Sequence, residues 1–183
     1  MLGMETAFTR TSWIPELIKN LRLNLLDDEV WSSRIDQIST KPTDFGLHLA
    51  IFVEPYLQYI LEGKKTVESR FGVHRRAPFG YVREGDVLLL KKSGGPITGI
   101  CLVGQVWFYR LDARSWRKIK QEFSSSLCAQ DPEFWNQRRA ASFATLMLVK
   151  DVRPITPFDI SKKDRRGWVT LKNSIATQEL LFA

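Results

Sequence analysis

Cysteine and histidine are scarce in this chain, which holds two of each among its 183 residues. Cys101 lies in an apolar run and Cys128 in a polar one, so the sequence offers neither a disulfide framework nor a Cys-x-x-Cys metal or redox site. His48 and His74 have no neighbouring cysteine or histidine that could complete a zinc or iron site. We therefore assign no metal and no cofactor.

Long apolar runs are also missing. No stretch approaches the roughly 20 apolar residues that a membrane-spanning helix needs. The N-terminal segment, which contains Glu5, does not resemble a secretory signal. The sequence therefore predicts a cytoplasmic protein with no membrane association.

Positive charge is present in excess and is unevenly distributed. The formal charge is +7, from 27 Lys and Arg against 20 Asp and Glu. Residues 1–46 hold 5 basic and 7 acidic side chains, which leaves 22 basic and 13 acidic ones for residues 47–183. A positive field attracts phosphates and polyanions, although many basic proteins bind no nucleic acid. The charge of the second part is therefore compatible with a nucleic-acid partner and does not require one.

Residues 1–46 carry a helical pattern. Apolar side chains recur at helical spacing over residues 13–25 and again over residues 30–38, and the pattern stops before Lys41 and Pro42. We expect a helical N-terminal extension here. It either covers one face of the following domain as a lid, or serves as an element for dimerisation or for a protein partner.

From Leu47 the pattern becomes that of β-strands. Residues 47–53 alternate between apolar and more polar side chains, as a half-buried strand does. Further strands are predicted over residues 64–70, 87–90, 97–109 and 143–152. Gly99 and Gly104 lie in the longest of these, where glycine permits the bulges and bends that let a sheet curl into a barrel.

Short helices are predicted between these strands. Pro55 begins one helix and Gly63 ends it with a left-handed cap. Two more helices are expected over residues 112–123 and 131–139. Pro154 and Pro157 are expected to end the regular structure.

The chain therefore divides into three parts in our interpretation. The helical extension covers residues 1–46, the β-rich domain covers residues 47–160, and a basic tail covers residues 161–183. The tail is expected to pack on or near the β-rich domain. It carries a cluster of cations formed by Lys162, Lys163, Arg165 and Arg166.

One spacing points to chemistry, namely Gly63-x-Lys65-x-x-Glu68-x-Arg70. In an extended chain Glu68 and Arg70 share one face, and Lys65 lies at the helix-to-strand junction, from which its long side chain reaches the same place. A carboxylate between two cations orients them and leaves their other donors for a ligand phosphate or base edge. The alternative interpretation is an ion-pair ladder on the surface, which contributes little stability.

This spacing resembles the hallmark of ASCH domains, which belong to the PUA-like superfamily. It follows a short helix and precedes Glu84-Gly85-Asp86-Val87 and an apolar strand, and the resemblance covers roughly residues 47–160. The resemblance implies an α+β fold, a PUA-like small mixed β-barrel with flanking helices. It also implies that the motif lines a basic cleft that binds RNA or processes a nucleotide.

Further candidates for ligand binding lie near the motif in sequence or in the tail. The loop after it supplies His74, Arg75 and Arg76, and the next turn supplies Arg83; grouped cations of this kind are expected at a phosphate backbone. Trp168 adjoins the basic tail cluster and could stack on a base. The other candidate stacking residues are Trp107, Phe108, Tyr109, Phe134 and Trp135. A solvated loop and core packing are the alternatives for these cations and aromatic residues.

Three functions remain open, of which we prefer RNA or modified-nucleotide binding. Some ASCH-like proteins resemble amidohydrolases that act on N-acylated cytidine; the candidates for that chemistry are Lys65, Glu68 and Thr66, with Ser69, Asp131 and Glu133 as further ones. Such an enzyme would carry a hydroxyl residue at the position of Glu68. We expect Glu68 to raise the pKa of Lys65 and so weaken it as a base. The third possibility is a protein-interaction module that uses the N-terminal helices.

Overall fold

The computed structural model describes residues 13–38, 43–160 and 166–175. Lys162, Lys163 and Arg165 of the predicted basic cluster lie outside the described residues. In the described part, five helices and six strands follow one another along the chain. They are α1 (Ile14–Asn24), α2 (Glu29–Ile38), β1 (Leu47–Phe52), α3 (Tyr56–Leu61), β2 (Val67–Gly72), β3 (Val87–Lys92), β4 (Ile97–Arg110), α4 (Ala113–Phe123), α5 (Pro132–Asn136), β5 (Phe143–Phe158) and β6 (Trp168–Lys172).

The six strands form one mixed sheet in the order β2-β5-β4-β3-β1-β6. β1 and β3 are parallel, and the other neighbouring pairs are antiparallel. The sheet curls into a half-barrel with helices beside it, so the predicted α+β class is confirmed. β2 and β6 are the edges of this half-barrel.

Central strands are apolar on both faces because both faces are covered. Every residue of β3 from Val87 to Leu90 is buried, which is typical of a strand packed between two layers. Leu89 contributes to the core beneath α1 and α2, whereas Leu88 contributes to the core that also holds α3. Successive side chains of β3 point to opposite faces of the sheet, so this one strand contributes to both cores.

The N-terminal helices cover one face of the sheet. Leu17, Leu21, Trp31 and Ile35 are buried in the same cluster as Leu49 and the other inward residues of β1 and β3. The indole N–H of Trp31 also donates to the Asp151 carbonyl at 3.2 Å. The two helices therefore complete the core, and a protein partner for them remains a prediction.

The predicted end of the last long strand is wrong. Pro154 and Pro157 were expected to stop regular structure, but β5 continues through both as far as Phe158. β2 pairs with β5 only over Phe143 to Leu148. Both prolines therefore lie where β5 has β4 on one side and no strand of the described residues on the other. A proline without an N–H is tolerated at such an open edge.

Gly104 marks the bend that sequence analysis predicted in β4. The pairing of β4 with β5 shifts register between Val103 and Val106. A Cβ at Gly104 would lie 2.8 Å from Lys150 Cε and 3.1 Å from Leu148 Cβ. Gly104 therefore allows β5 to lie close to β4 at this shift of register, and such irregularities help the sheet to curl.

Arg70 connects the two edges of the half-barrel. From β2, its Nη1 donates to the Ile51 carbonyl at 3.0 Å and to the Gly167 carbonyl at 2.9 Å. The first acceptor belongs to β1 and the second precedes β6. The open side of the half-barrel is therefore a seam that the Arg70 side chain spans.

Candidate ligand-binding cleft

The motif begins at a helix end that only glycine accommodates easily. Gly63 has φ +71°, and its N–H donates to the Ile60 carbonyl at 3.0 Å, which closes α3 as predicted. A Cβ there would meet no atom within 4 Å, so the backbone angle, and not space, favours glycine. Gly63 lines neither of the pockets described below; its position indicates a structural role.

Lys65, Glu68 and Arg70 form a buried ion-pair cluster. Lys65 is 3% exposed and Glu68 is 4% exposed. Lys65 Nζ lies 3.1 Å from Glu68 Oε2, and Arg70 Nε lies 2.8 Å from Glu68 Oε1. Lys65 Nζ also donates to the Val67 carbonyl. The three side chains therefore meet as the spacing predicts, and their burial rules out the surface ladder.

Burial lowers the pKa of Lys65, and Glu68 only partly opposes this effect. Glu68 acts in the direction that we expected from the sequence, but the predicted net direction is wrong because desolvation of the ammonium group is the larger cause. The sequence did not show that this lysine is almost completely enclosed.

A first pocket opens beside this cluster, with a volume of about 350 Å³. Three cationic side chains and one carboxylate line it together with aromatic rings. The lining residues are Ile51, Phe52, Val53, Tyr56, Lys65, Glu68, Ser69, Arg70, Phe71, Phe134, Gln137 and Arg138.

Arg138 is a cation of the first pocket that sequence reasoning missed. Its Cζ lies 3.7 Å from the centre of the Phe134 ring, and its Nη1 donates to the Phe134 carbonyl at 2.6 Å. Burial lowers its pKa. The spacing of four residues from Phe134 was a signal for this contact, but nothing local showed that α5 faces the motif.

A second pocket, of about 370 Å³, lies on the other side of Arg70. It shares Arg70 and Phe71 with the first, and we call the two pockets together the cleft. The lining residues of the second pocket are Arg70, Phe71, Gly72, Val73, His74, Arg76, Ala77, Pro78, Phe79, Phe143, Thr145, Gly167 and Trp168. His74, Arg76 and Trp168, predicted from the sequence, thus join Arg70 here.

Two buried donors of the second pocket lack an acceptor. Arg70 uses Nη1 for the seam and Nε for the ion pair with Glu68, but within the described residues its buried Nη2 has no hydrogen-bond partner. The Nε–H itself is not aligned for a hydrogen bond to Glu68. Trp168 is 6% exposed and its Nε1–H likewise has no acceptor in the part of the chain described. Buried donors are nearly always paired, so an acceptor that reached these two atoms would complete hydrogen bonding that the described residues leave unfinished.

Other predicted residues lie outside the cleft. Arg75 places its guanidinium 5.6 Å from the Phe79 ring centre without lining either pocket. Asp131 accepts from the Glu133 N–H at 2.8 Å as the N-cap of α5. Thr66, Arg83 and Glu133 also line neither pocket.

His48 is a structural residue. Its Nε2 lies 2.9 Å from Asp86 Oδ2 and its Nδ1 lies 3.2 Å from Thr170 Oγ1. The ring also packs against Trp168, with centroids 5.1 Å apart. His48 therefore supports the floor of the second pocket from behind.

The aromatic candidates divide between surface and core. Phe108 is 42% exposed on the surface. Trp135 is buried and donates to the Ala129 carbonyl at 2.9 Å, so it is a packing residue. Tyr56 was not predicted, yet it lines the first pocket, where burial raises its pKa.

In residues 13–38, 43–160 and 166–175, no group of three or more His, Cys, Asp or Glu side chains could hold a metal ion. None of the helices in the described ranges is long and apolar enough to cross a membrane.

Comparison with known proteins identifies the family. The model of the ASCH domain family matches residues 51–146, which is more than half of the chain. The prediction from the motif is therefore confirmed at the level of the family. No curated protein sequence matches the chain.

Solved structures show the same fold. The crystal structure of ASCH from Zymomonas mobilis is 14% identical in sequence, with a TM-score of 0.56 and coverage of 74% of this chain and 93% of that one. A variant of that protein with a serine replaced by alanine is also 14% identical, with a TM-score of 0.57 and coverage of 76% and 96%. At this identity the likeness establishes the PUA-like fold alone.

Proposed function

The chain belongs to the ASCH domain family, and from this premise we propose that it binds RNA or a modified nucleotide in its cleft. The family is associated with RNA binding. Lys65, Arg70 and Arg138 would face the phosphates, and Glu68 would hold the first two in position.

The observation that carries this proposal is the incomplete pairing of a buried charged cluster. Burying a cation costs free energy unless it is paired and hydrogen-bonded. Glu68 offers one carboxylate to both Lys65 and Arg70, while Arg70 keeps a buried Nη2 without a partner in the described residues. An anionic or carbonyl-bearing ligand would supply the missing acceptors.

The charge of the cleft supports a phosphate-bearing ligand. Three cationic side chains face one carboxylate in the first pocket, and His74 and Arg76 add to this character in the second. Pockets of roughly 300–1,000 Å³ suit small ligands, and each of these pockets reaches that range. A nucleotide or a short segment of single-stranded RNA fits both properties.

The test is a titration of a short single-stranded RNA at several salt concentrations. Because cations that contact phosphates release counterions, the logarithm of the affinity should fall linearly with the logarithm of salt, by about 0.7 for each phosphate neutralised. Arg138→Ala should weaken binding. Arg114→Ala, which removes an exposed arginine outside both pockets, is the matched control and should not.

An affinity that does not change with salt would contradict a phosphate-binding cleft. Equal losses in Arg138→Ala and Arg114→Ala would indicate attraction to the overall charge of the protein and not to this site.

A second candidate function is hydrolysis of an N-acylated cytidine-like nucleoside. The lowered pKa of Lys65 favours it, since a neutral amine can act as a base. The positions of Thr66, Asp131 and Glu133 outside the cleft weaken it. Release of the free carboxylic acid from N-acylated cytidine, lost in Lys65→Arg, would establish this activity, and RNA binding without release would exclude it for this substrate class.

A further inference from the structure

We propose that the second pocket recognises a nucleobase and selects a keto base over the corresponding amino base. The inference rests on the proposed function and extends it to the identity of the base. Arg70 and Trp168 provide the selecting groups, and the aromatic wall of the pocket provides the site for the ring.

Two polar groups of the residues that line this pocket lack a partner in the described part of the chain, and both are donors. Trp168 Nε1–H and Arg70 Nη2 have no acceptor within the described residues. An indole nitrogen only donates and a guanidinium has no acceptor atom. A ligand edge with two acceptors would satisfy both groups, whereas an exocyclic amino group would place donor against donor.

The two donors are held together by the fold. The Arg70 guanidinium carbon lies 5.6 Å from the centre of the Trp168 ring and 4.8 Å from that of Phe52. Trp168 is fixed from behind by His48, and Arg70 is fixed by the carbonyls of Ile51 and Gly167. A fixed pair of donors discriminates better than a mobile pair, because it cannot turn to avoid a mismatched group.

The walls of the pocket favour a flat ring over a bare phosphate. Phe71, Phe79, Phe143 and Pro78 line it beside Trp168, and apolar surfaces of this kind stack bases and gain nothing from a hydrated anion. His74 and Arg76 are exposed, so they lie at the mouth, where a phosphate can remain partly hydrated. This arrangement places the base inside and the phosphate outside.

Inosine and adenosine monophosphates form a matched pair for the test. They share ribose, phosphate and purine ring, but O6 and N7 of the keto base are both acceptors, whereas the amino base presents a donor at position 6. We expect the full-length protein to bind inosine monophosphate about tenfold more tightly, the penalty for an unpaired buried donor.

Trp168→Phe tests the indole donor. It keeps an aromatic ring against His48 and removes the indole N–H, so the affinity for inosine monophosphate should fall more than that for adenosine monophosphate and the preference should fall towards equality. Should the variant not fold, the ¹H–¹⁵N signal of the Trp168 indole in the wild-type protein replaces it. That signal should move with inosine monophosphate more than with adenosine monophosphate.

Three outcomes would overturn the proposal in distinguishable ways. Equal affinities for the two nucleotides, with RNA binding intact, would refute base selection and leave the proposed function standing. An indole signal that moves equally with inorganic phosphate would make the second pocket an anion site. Failure to bind RNA or any nucleotide would refute the proposed function, and this inference with it.

Discussion

Two buried charged clusters lie on this half-barrel, and the protein completes one of them but not the other. Asp86 accepts from the Gly46 N–H at 2.6 Å and the Arg83 N–H at 2.8 Å, and it pairs with His48 at 2.9 Å. Both Asp86 oxygens thus have partners inside the fold. In the motif cluster, Glu68 is shared by Lys65 and Arg70, and Arg70 Nη2 has no acceptor in the residues described.

The comparison distinguishes charged groups that stabilise the fold from charged groups that we expect to bind a ligand. A buried polar network in which every group is hydrogen-bonded makes the local structure rigid. A network with an unpaired buried group retains the free-energy cost of removing that group from water. The His48–Asp86 cluster joins the start of β1 to the turn before β3 and to β6. The Lys65–Glu68–Arg70 cluster lines a pocket. We expect substitutions in the first to act on stability and substitutions in the second to act on binding.

The largest expected effect is that of Asp86→Ala. It leaves two backbone donors and His48 buried without their acceptor, so the free energy of unfolding should fall by about 3–5 kcal/mol. Denaturant unfolding followed by circular dichroism measures this change. Any protein that remains folded should bind RNA as the wild type does.

Asp36→Ala is the control for that experiment. Asp36 pairs with Arg22 at 2.8 Å, but both side chains are more than half exposed, at 67% and 53%, and surface pairs of this kind contribute little. Its unfolding curve should match that of the wild type. A loss of RNA affinity in folded Asp86→Ala protein would break the distinction between the two clusters.

The second effect in size is that of Arg70→Ala on binding. Loss of a charge-assisted contact should weaken RNA affinity tenfold or more, as measured by fluorescence anisotropy. Stability should also fall, because Arg70 spans the seam, but by less than in Asp86→Ala, since no buried carboxylate loses all of its partners. If Arg70→Ala destabilises the protein and leaves affinity unchanged, the motif is structural.

The motif cluster could be predicted from the sequence because its three residues lie close together in the chain. The spacing of Lys65, Glu68 and Arg70 across a helix end and a strand fixes which side chains can meet. The same kind of local pattern predicted β1, β3 and β4 to within a few residues. Each of these features depends on residues close together in the chain.

Features that depend on contacts between segments far apart in the chain were not predicted from the sequence. β6 lies in the segment that we took for a basic tail, yet Trp168 pairs with Ala50 of β1. Arg138, in the turn after α5, and Tyr56, at the start of α3, both line the first pocket, although no local pattern connects the two segments. The net direction of the pKa shift of Lys65 was wrong for the same reason, since enclosure by distant residues cannot be read from spacing.

The third prediction uses pH to examine Lys65. Its pKa lies below the ordinary value of 10.5, and only the protonated amine attracts phosphate. RNA affinity should therefore decrease by several-fold as pH rises through the lowered pKa. Lys65→Arg should remove this decrease, because a guanidinium keeps its proton. Anisotropy titrations across the alkaline range measure both.

The free energy of unfolding should increase over the pH range in which the RNA affinity decreases. Between the lowered pKa of the folded protein and the ordinary value, the unfolded chain binds more protons at Lys65 than the folded one. The free energy of unfolding must then rise with pH in that interval. Lys65→Met should lack this contribution. A wild type whose RNA affinity is independent of pH would show that Lys65 does not contact phosphate as a cation.

The smallest effect is expected from Glu68→Gln, which keeps the shape of the side chain and removes its charge. Affinity should fall about threefold to tenfold, less than in Arg70→Ala, because Glu68 acts on the ligand through the two cations that it holds.

Part of this loss comes from deprotonation of Lys65. Without the Glu68 carboxylate, less opposes the lowering of the Lys65 pKa by burial. Binding at mildly acidic pH removes that part and leaves the orientation of Arg70. There the effect of Glu68→Gln should largely disappear in an Arg70→Ala background, since the two substitutions then remove one shared interaction. Additive losses in the double variant would show that Glu68 contacts the ligand or supports the cleft independently of Arg70.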